Sequence, residues 1–132
     1  MVNLQLLPLI IKVPMLPPAE CSPNWRAHWS KSYRAAKVYH NAVYYAAVDA
    51  CNRAQRWGIM SRARLHLTFV FAVERRRAPD NMLARFKPGL DAMADAEIIA
   101  DDDSRHLTIE PVEIVIDPAV APQTIIEIDL IP

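Results

Sequence analysis

The chain is poor in glycine and cysteine, and its positive and negative charges balance. With two glycines and 52% apolar residues, the composition is typical of a globular protein rather than a disordered or fibrous one. Cys21 and Cys51 form no Cys-x-x-Cys pair, and a chain of 132 residues needs no disulfide to fold, so we expect both thiols to be reduced. The length predicts one domain with one core.

No hydrophobic run is long enough to span a bilayer. The N-terminal stretch MVNLQLLPLIIKV has no basic start and no small-residue cleavage site, and Lys12 and Pro14 interrupt it. We therefore expect a buried strand here, no membrane association and a cytoplasmic location.

The zero net charge conceals a strong asymmetry along the chain. Residues 1–90 carry 14 Lys and Arg against 4 acids, a balance of +10, whereas residues 91–132 carry one Arg against 11 acids, a balance of −10. A basic body can attract a polyanion while an acidic segment holds a cation against it. The alternative is that the two charges merely solvate different faces.

Hydrophobic periodicity and turn residues predict the order β-α-β-α-β-β. The predicted elements are a strand over Val2–Val13, a helix from Ser30 or Ser32 to about Arg56 before Gly58, a strand over Arg64–Glu74, a helical segment capped by Asp80, and strands over Leu107–Ile116 and Thr124–Ile131. Pro88 either kinks the helical segment or starts a new helix near Lys87. This order predicts an α+β domain with two main helices on a mixed or mostly antiparallel sheet.

Apolar residues at helical and strand spacing identify a candidate core. The first helix has a stripe of residues three or four apart, namely Tyr33, Ala36, His40, Val43, Ala47, Cys51 and Ala54, on which His40 is interpreted as a core histidine. Alternation predicts one buried face of the second strand, formed by Leu65, Leu67, Phe69, Phe71 and Val73. The last strand alternates Ile126, Ile128 and Leu130 with Glu127 and Asp129, which predicts one apolar face there as well. The second helical segment is expected to bury Leu83, Phe86, Leu90 and Met93.

Carboxylates stand at both ends of the second helical segment. Asp80 and Asn81 follow a predicted strand, and Asp101–Asp103 precede the next one. If the segment folds back on the sheet these oxygens can converge, and oxygen ligands are what Mg²⁺ prefers. The three consecutive aspartates lack the alternating spacing, glycine and distal glutamate of an EF-hand calcium loop.

Lys87 and Asp91 add a base and an acid to the same segment. They follow Asp80 by seven and eleven residues, so an unbroken helix would place all three on one face, with Lys87 and Asp91 roughly 20° to either side of Asp80. The alternative is a solvated Lys87–Asp91 pair one helical turn apart, which contributes about 0.2–0.5 kcal/mol.

The pattern RRR-x-x-DN…K-P-x-L-D-A-M-x-D-A…DDD, with PPAECSPNWRAHWSKSYRAAK upstream, resembles the RusA family of Holliday-junction endodeoxyribonucleases of phages and prophages. The resemblance covers about Pro17 to His106. It implies a RusA-like fold and a Mg²⁺-dependent enzyme that resolves four-way DNA junctions in a bacterial host cell.

The resemblance also assigns roles to individual residues. It implies that Asp80, Lys87 and Asp102 are catalytic and that Asp80 and Asp101–Asp103 supply the Mg²⁺ ligands, with the register inside the triple aspartate open by one residue. Asn81 matches the asparagine of the family's D-x-D-N motif, and Asp91 matches a shared aspartate without an assigned role.

Two departures from the family pattern stand out. Lys87 follows Asn81 by six residues where well-known members have three, an addition of about one helical turn that keeps the lysine on the same face. The first aspartate of D-x-D-N is Ala78 here, which removes a carboxylate. Glu74 is a possible substitute ligand.

Basic and aromatic residues supply a candidate DNA interface. Arg75, Arg76 and Arg77 are interpreted as phosphate clamps, because guanidinium groups match phosphate oxygens. Arg26, Lys31, Arg34 and Lys37 are expected to contact other duplex arms. Trp25 and Trp29 are candidates to stack on unpaired bases. The alternative is that at least one of them packs in the core.

The function predicted from the sequence is a Mg²⁺-dependent nuclease that acts on branched DNA, and two other functions are alternatives. A nuclease that makes two symmetric nicks in a two-fold symmetric junction is expected to be a homodimer. A branched-DNA-binding protein that has lost cleavage through Ala78 is the second possibility. A small structural domain that binds no nucleic acid is the third.

Overall fold

A computed structural model of the protein describes residues 7–26 and 28–132. Within these ranges the chain forms the predicted α+β fold, with three α-helices and a mixed five-stranded sheet. The strands are β1 (Leu9–Val13), β2 (Ala63–Phe71), β3 (Leu107–Ile109), β4 (Glu113–Ile116) and β5 (Gln123–Leu130). The helices are α1 (Trp29–Ala54), α2 (Pro79–Arg85) and α3 (Lys87–Asp95), and a short 3-10 helix spans Ala19–Cys21. The part of the predicted first strand before residue 7 lies outside the described residues.

The sheet has the order β1-β5-β2-β3, and β4 also pairs with β2. β5 is antiparallel to both β1 and β2, whereas β3 and β4 run parallel to β2. Alternation in β5 buries Ile126 and Ile128 completely against the helices, as the apolar spacing predicts. Leu65, Leu67 and Phe69 of β2 are also fully buried, so the predicted core face of this strand is confirmed at its centre.

The predicted single strand over Leu107–Ile116 is wrong, because the structure has two strands there. β3 pairs with the first residues of β2 and β4 with its last ones, along the same edge. Glu110 still donates its backbone N–H to Leu65, but Pro111 has no N–H to continue the ladder. The break leaves residues 110–112 as a short irregular connection.

The α1 helix begins earlier than the serines predict. His28 occupies the N-cap, where its Nδ1 accepts a hydrogen bond from the backbone N–H of Ser30 at 3.1 Å, so neither Ser30 nor Ser32 is the cap. At the other end Gln55 adopts a left-handed conformation with φ 52°, three residues before Gly58. The imidazole accepts the hydrogen bond that a capping serine would otherwise accept.

One stripe of α1 faces the sheet. Tyr39, Val43, Ala47 and Cys51 are its buried members, whereas Tyr33 and Ala54, which were also predicted to be buried, are exposed. The Tyr39 hydroxyl lies 2.9 Å from Thr124 Oγ1 on β5, and burial raises the pKa of Tyr39, so the phenol stays neutral. This hydrogen bond gives the buried Tyr39 hydroxyl a polar partner.

His40 lies at the margin of the helix interface rather than in the core. Its side chain is 27% exposed, and Nε2 lies 2.7 Å from Asp95 Oδ2 at the end of α3. The core interpretation of His40 is therefore wrong, because an imidazole beside an exposed carboxylate keeps a polar partner and contact with solvent.

Pro88 starts a new helix rather than kinking one. α2 ends at Arg85, Phe86 joins the two helices, and Pro88 lies in the first turn of α3, where its missing N–H leaves no bond unmade. Asp80 is not the cap of α2, since Ala78 occupies that position and offers no side-chain acceptor. Phe86 is fully buried, together with Met82 and Met93 on either side of the joint.

Among the described helices, none is long and apolar enough to cross a membrane.

Gly89 is required where α3 passes over the ring of Phe86. A Cβ at this position would lie 2.6 Å from Phe86 Cε1 and 2.7 Å from Cζ, and the ring is fully buried. We expect Gly89→Ala to lower the free energy of unfolding by about 1–3 kcal/mol, although alanine favours helix, because the overpacked ring cannot move freely. Urea denaturation measures the change. A Phe86→Leu background removes the contact, so a penalty of equal size there would contradict this explanation.

Ala78 leaves the first turn of α2 without a side-chain cap. Its φ and ψ of −93° and 122° are those of a normal N-cap residue. We expect Ala78→Ser to raise the free energy of unfolding by about 0.5–2 kcal/mol, because the hydroxyl can accept an orphan N–H of the first turn. Ala100→Ser, at an exposed position outside any helix, is the control that should change nothing. Equal effects of the two substitutions in thermal denaturation would contradict the capping explanation.

Candidate functional site

The α2 helix carries the Asp-Asn pair in its first turn and presents the two side chains to different surroundings. Asp80 is exposed and has no hydrogen-bond or ion-pair partner among the described residues. The Asn81 Oδ1 accepts a hydrogen bond from Ser22 Oγ at 2.9 Å. At about 100° per residue, consecutive helical positions point in different directions. Asp80 therefore borders a groove toward residues 109–112, whereas Asn81 borders a pocket lined by arginines.

Lys87 is held between two carboxylates at the start of α3. Its Nζ donates one hydrogen bond to Asp91 Oδ1 at 3.0 Å and another to Oδ2 of Asp102, which lies in the loop after α3. The bond to Asp91 is the helical pair that the sequence offered as one of two alternatives. The hydrogen bonds to Asp102 and then Asp91 raise the pKa of Lys87, and the bond from Lys87 lowers the pKa of Asp102. Lys87 is thus a permanent cation at neutral pH, suited to charge stabilisation and unsuited to act as a base.

The three consecutive aspartates have three different environments. Asp102 is the member that contacts Lys87, whereas the Asp101 Oδ1 accepts the backbone N–H of Asp102 at 2.7 Å. Asp103 Oδ1 accepts the backbone N–H groups of Arg105 and His106 and lies 2.7 Å from His106 Nδ1. The contact with His106 lowers the pKa of Asp103. Asp103 therefore stabilises the turn into β3, and Asp102 is the aspartate that faces the lysine.

The oxygen donors of this region fit Mg²⁺ in chemical type but do not form a complete cage. In residues 7–26 and 28–132, no three His, Cys, Asp or Glu side chains come together as a metal-ligand set. Mg²⁺ in phosphate chemistry is commonly held by one or two carboxylates, with water and substrate phosphate oxygens completing the octahedron. Among the described residues Asp102 contacts Lys87 but not Asp80, so a two-carboxylate set of Asp80 and Asp102 stays a prediction.

Glu110 is an acidic residue near Asp80 that sequence reasoning missed. The groove beside α2 has a volume of about 420 Å³ and is lined by Asp80, Leu83 and residues 109–112. Glu110 enters it because the strand breaks at Pro111. No sequence signal connects these two acids, since they are 30 residues apart and meet only through the parallel pairing of β3 and β4 with β2.

The three consecutive arginines line a pocket together with a fourth that sequence reasoning missed. We call this the arginine pocket; it has a volume of about 250 Å³ and is lined by Arg75, Arg76, Arg77, Ala78, Asn81, Met82 and Arg85. Arg85 follows Asn81 by four residues on α2, so helical spacing could have identified it. Ala78, where the resembled family has an aspartate, borders this pocket.

The basic residues before and along the first half of α1 are all exposed. They are Arg26, Lys31, Arg34 and Lys37. Trp25 and Trp29 are 37% and 70% exposed, so the expectation that at least one of them packs in the core is wrong. A groove of about 370 Å³ between α1 and α3 is lined by Tyr33, Lys37 and Asp91, among others. This groove therefore lies between basic residues of α1 and Asp91, which forms an ion pair with Lys87.

Glu74, the possible substitute ligand, lies in the irregular segment between β2 and α2. It is exposed and has no ion pair or hydrogen bond among the described residues, and it lines none of the grooves described above. Its role as a ligand stays a prediction.

No protein-family model matches the chain. An uncharacterized protein of Xylella fastidiosa, strain Temecula1, is similar, with 40% identity over 97 residues that make up 70% of this chain. The chain spans 59% of the length of that relative.

Proposed function

We propose that this protein is a Mg²⁺-dependent endonuclease that cleaves four-way or related branched DNA in the cytoplasm of a bacterial host. The observation that carries the proposal is the contact of Lys87 with Asp102 across the α3 helix and the loop that follows it. These two residues are 15 apart and belong to a motif that resembles the RusA family in sequence order. Their contact brings together two separate parts of that motif. The Asp-Asn pair of the motif lies in the first turn of α2.

The distribution of exposed cations supports DNA as the substrate. The exposed basic residues of α1 and the arginine pocket both precede Lys87 in the sequence, and residues 26–48 contain four Lys or Arg and no acid. Such surfaces attract the phosphate backbone without regard to sequence. The exposed rings of Trp29 and Tyr33 among these cations are suited to stack on the unpaired bases of a branch point.

Asp80 and Asp102 would hold the Mg²⁺ ion, with Asp101 and Asp103 as neighbouring donors. The chemistry that this ion supplies when bound is neutralisation of negative charge on the phosphoryl oxygens. Lys87 places a fixed positive charge beside Asp102, where it can donate a hydrogen bond to the departing oxygen of the scissile phosphate. Asp91 restricts the ammonium group from the opposite side and so maintains its position.

A second candidate function is branched-DNA binding without cleavage. It is favoured by the absence of a three-ligand set among the described residues and by Ala78, which has no carboxylate to offer. Both candidates require the same cationic surfaces and predict binding that weakens with salt. Hydrolysis of the phosphodiester distinguishes them.

We expect the protein to be a homodimer, because a two-fold symmetric junction needs two symmetric nicks. Light scattering at micromolar concentration and moderate salt should give about twice the chain mass of 14.9 kDa. A monomer mass of about 14.9 kDa under these conditions would contradict paired cleavage by a dimer.

Asp102→Asn should abolish Mg²⁺-dependent cleavage of a synthetic four-way junction while leaving junction binding intact, because the amide keeps the side-chain size but loses the charge. Loss of the charge is expected to reduce the rate by about 10²-fold or more. Native gels measure binding and denaturing gels measure cleavage, each with and without Mg²⁺. The control is Asp49→Asn, which removes an exposed carboxylate paired with Arg53 in the second half of α1. Cleavage by Asp102→Asn at the unchanged rate would contradict the proposed site, and binding without any cleavage by the wild type would favour the second candidate.

A further inference from the structure

The arginine pocket concentrates positive charge without a balancing acid. Four arginines line it, namely Arg75, Arg76, Arg77 and Arg85, and its other lining residues are Ala78, Asn81 and Met82. None of the four arginines forms an ion pair with a carboxylate within the described part of the chain. Like charges gathered in one concave site repel one another, so an anion would relieve the repulsion.

Two of these arginines are positioned without the help of a carboxylate. The Arg77 guanidinium lies 3.7 Å over the ring of Phe71 and donates a hydrogen bond to the backbone oxygen of Arg75 at 3.2 Å. The Arg85 Nε is buried and has no hydrogen-bond partner. A buried N–H of a charged group without a partner is costly, and an acceptor brought by a ligand would satisfy it.

Asn81 adds a neutral donor to the same pocket. Its Oδ1 is engaged by the hydroxyl of Ser22, which sets the orientation of the amide, and its Nδ2 has no acceptor among the described residues. Burial raises the pKa of the Cys21 thiol, although the nearby charge of Arg85 acts in the opposite direction. The thiol therefore supplies no negative charge to balance the arginines. The polar side chains that line the pocket therefore offer N–H donors, apart from the Asn81 oxygen, which Ser22 already engages.

We propose that the arginine pocket binds one phosphate group, with Arg85 as the inner donor and Arg75, Arg76 and Arg77 around it. Guanidinium forks match phosphate oxygens, and several N–H donors around one anion are the usual design of a phosphate site. The proposal rests on the DNA binding of the proposed function and deepens it, because it adds Arg85 to the three arginines and assigns them to one phosphate group; it requires neither Mg²⁺ nor cleavage. The phosphate comes either from the backbone of a nucleic acid or from a terminal phosphomonoester.

Ala78 gives an independent means of testing the pocket. It lines the pocket as the N-cap of α2, a position that favours Ser and Asp alike. Ala78→Asp therefore adds a carboxylate among the arginines without disturbing the helix, whereas Ala78→Ser adds the same kind of cap without charge.

The first measurement uses the wild-type protein labelled with ¹⁵N-arginine and titrated with inorganic phosphate at constant ionic strength. The Nε–Hε resonance of Arg85 should shift along a saturable curve, together with that of at least one of Arg75–Arg77. Chloride at the same ionic strength should leave it in place. No saturable shift, or the same shift with chloride, would overturn the proposal.

The second measurement compares variants by their affinity for phosphate. Arg85→Gln and Arg76→Gln should each weaken binding about tenfold or more. Ala78→Asp should weaken it similarly, and Ala78→Ser should not. Arg62→Gln, which removes an exposed cation outside the pocket, is the matched control. Because Arg76 and Ala78 are exposed, these two substitutions remain informative if Arg85→Gln fails to fold. Unchanged affinity in Arg76→Gln and Ala78→Asp would contradict a phosphate site here.

The third measurement identifies the source of the phosphate with labelled duplexes that differ only in a 5′-phosphate or a 5′-hydroxyl. Tighter binding of the phosphorylated duplex, lost in Arg76→Gln, assigns the pocket to a terminal phosphate. Equal binding of both, with a salt slope reduced by about 1 in Arg76→Gln, assigns it to the backbone. Equal affinity and equal salt slope for wild type and Arg76→Gln would overturn the proposal for DNA. Failure of junction cleavage alone would overturn the nuclease function and leave the phosphate site in place.

Discussion

The burial of Phe86 is the constraint on which the candidate site depends. This residue joins α2 to α3 and is fully buried, with its ring 6.0 Å from that of Tyr39 on α1 and 6.4 Å from that of Phe69 on β2. Large aromatic side chains supply much of the apolar area that a small core buries. Because one side chain anchors the joint to both layers of the fold, it determines where the preceding and following turns lie.

The polar residues of the site are placed by this anchored joint. Asp80 and Asn81 precede it in the first turn of α2, and Lys87 follows it immediately as the first residue of α3. Gly89 lets the first turn of α3 pass directly over the Phe86 ring. The exposed residues therefore need no core contacts of their own, and their chemistry can change without loss of the fold.

The two charged regions beside the joint have opposite electrostatic character. Lys87 is compensated by Asp91 and Asp102, whose hydrogen bonds raise the pKa of Lys87, while the bond from Lys87 lowers the pKa of Asp102. The arginine pocket has no such compensation, although it borders α2, which Phe86 joins to α3. A balanced cluster can be stable by itself, whereas an unbalanced one is most stable with a bound anion.

The sequence by itself determined the fold class, the core face of β2 and β5, and the new helix at Pro88 as one of two alternatives, because these depend on local periodicity and on the missing N–H of proline. It also indicated that Lys87 and Asp91 could pair, since they are one helical turn apart. Tertiary structure decided that Asp102, rather than its neighbours, contacts Lys87, and that Glu110 shares a groove with Asp80. It also decided that Ala78, not Asp80, is the N-cap of α2 and that His28 is the N-cap of α1. Contacts across the sheet and across loops depend on strand pairing and on backbone direction, neither of which is recorded in the spacing of residues along the chain.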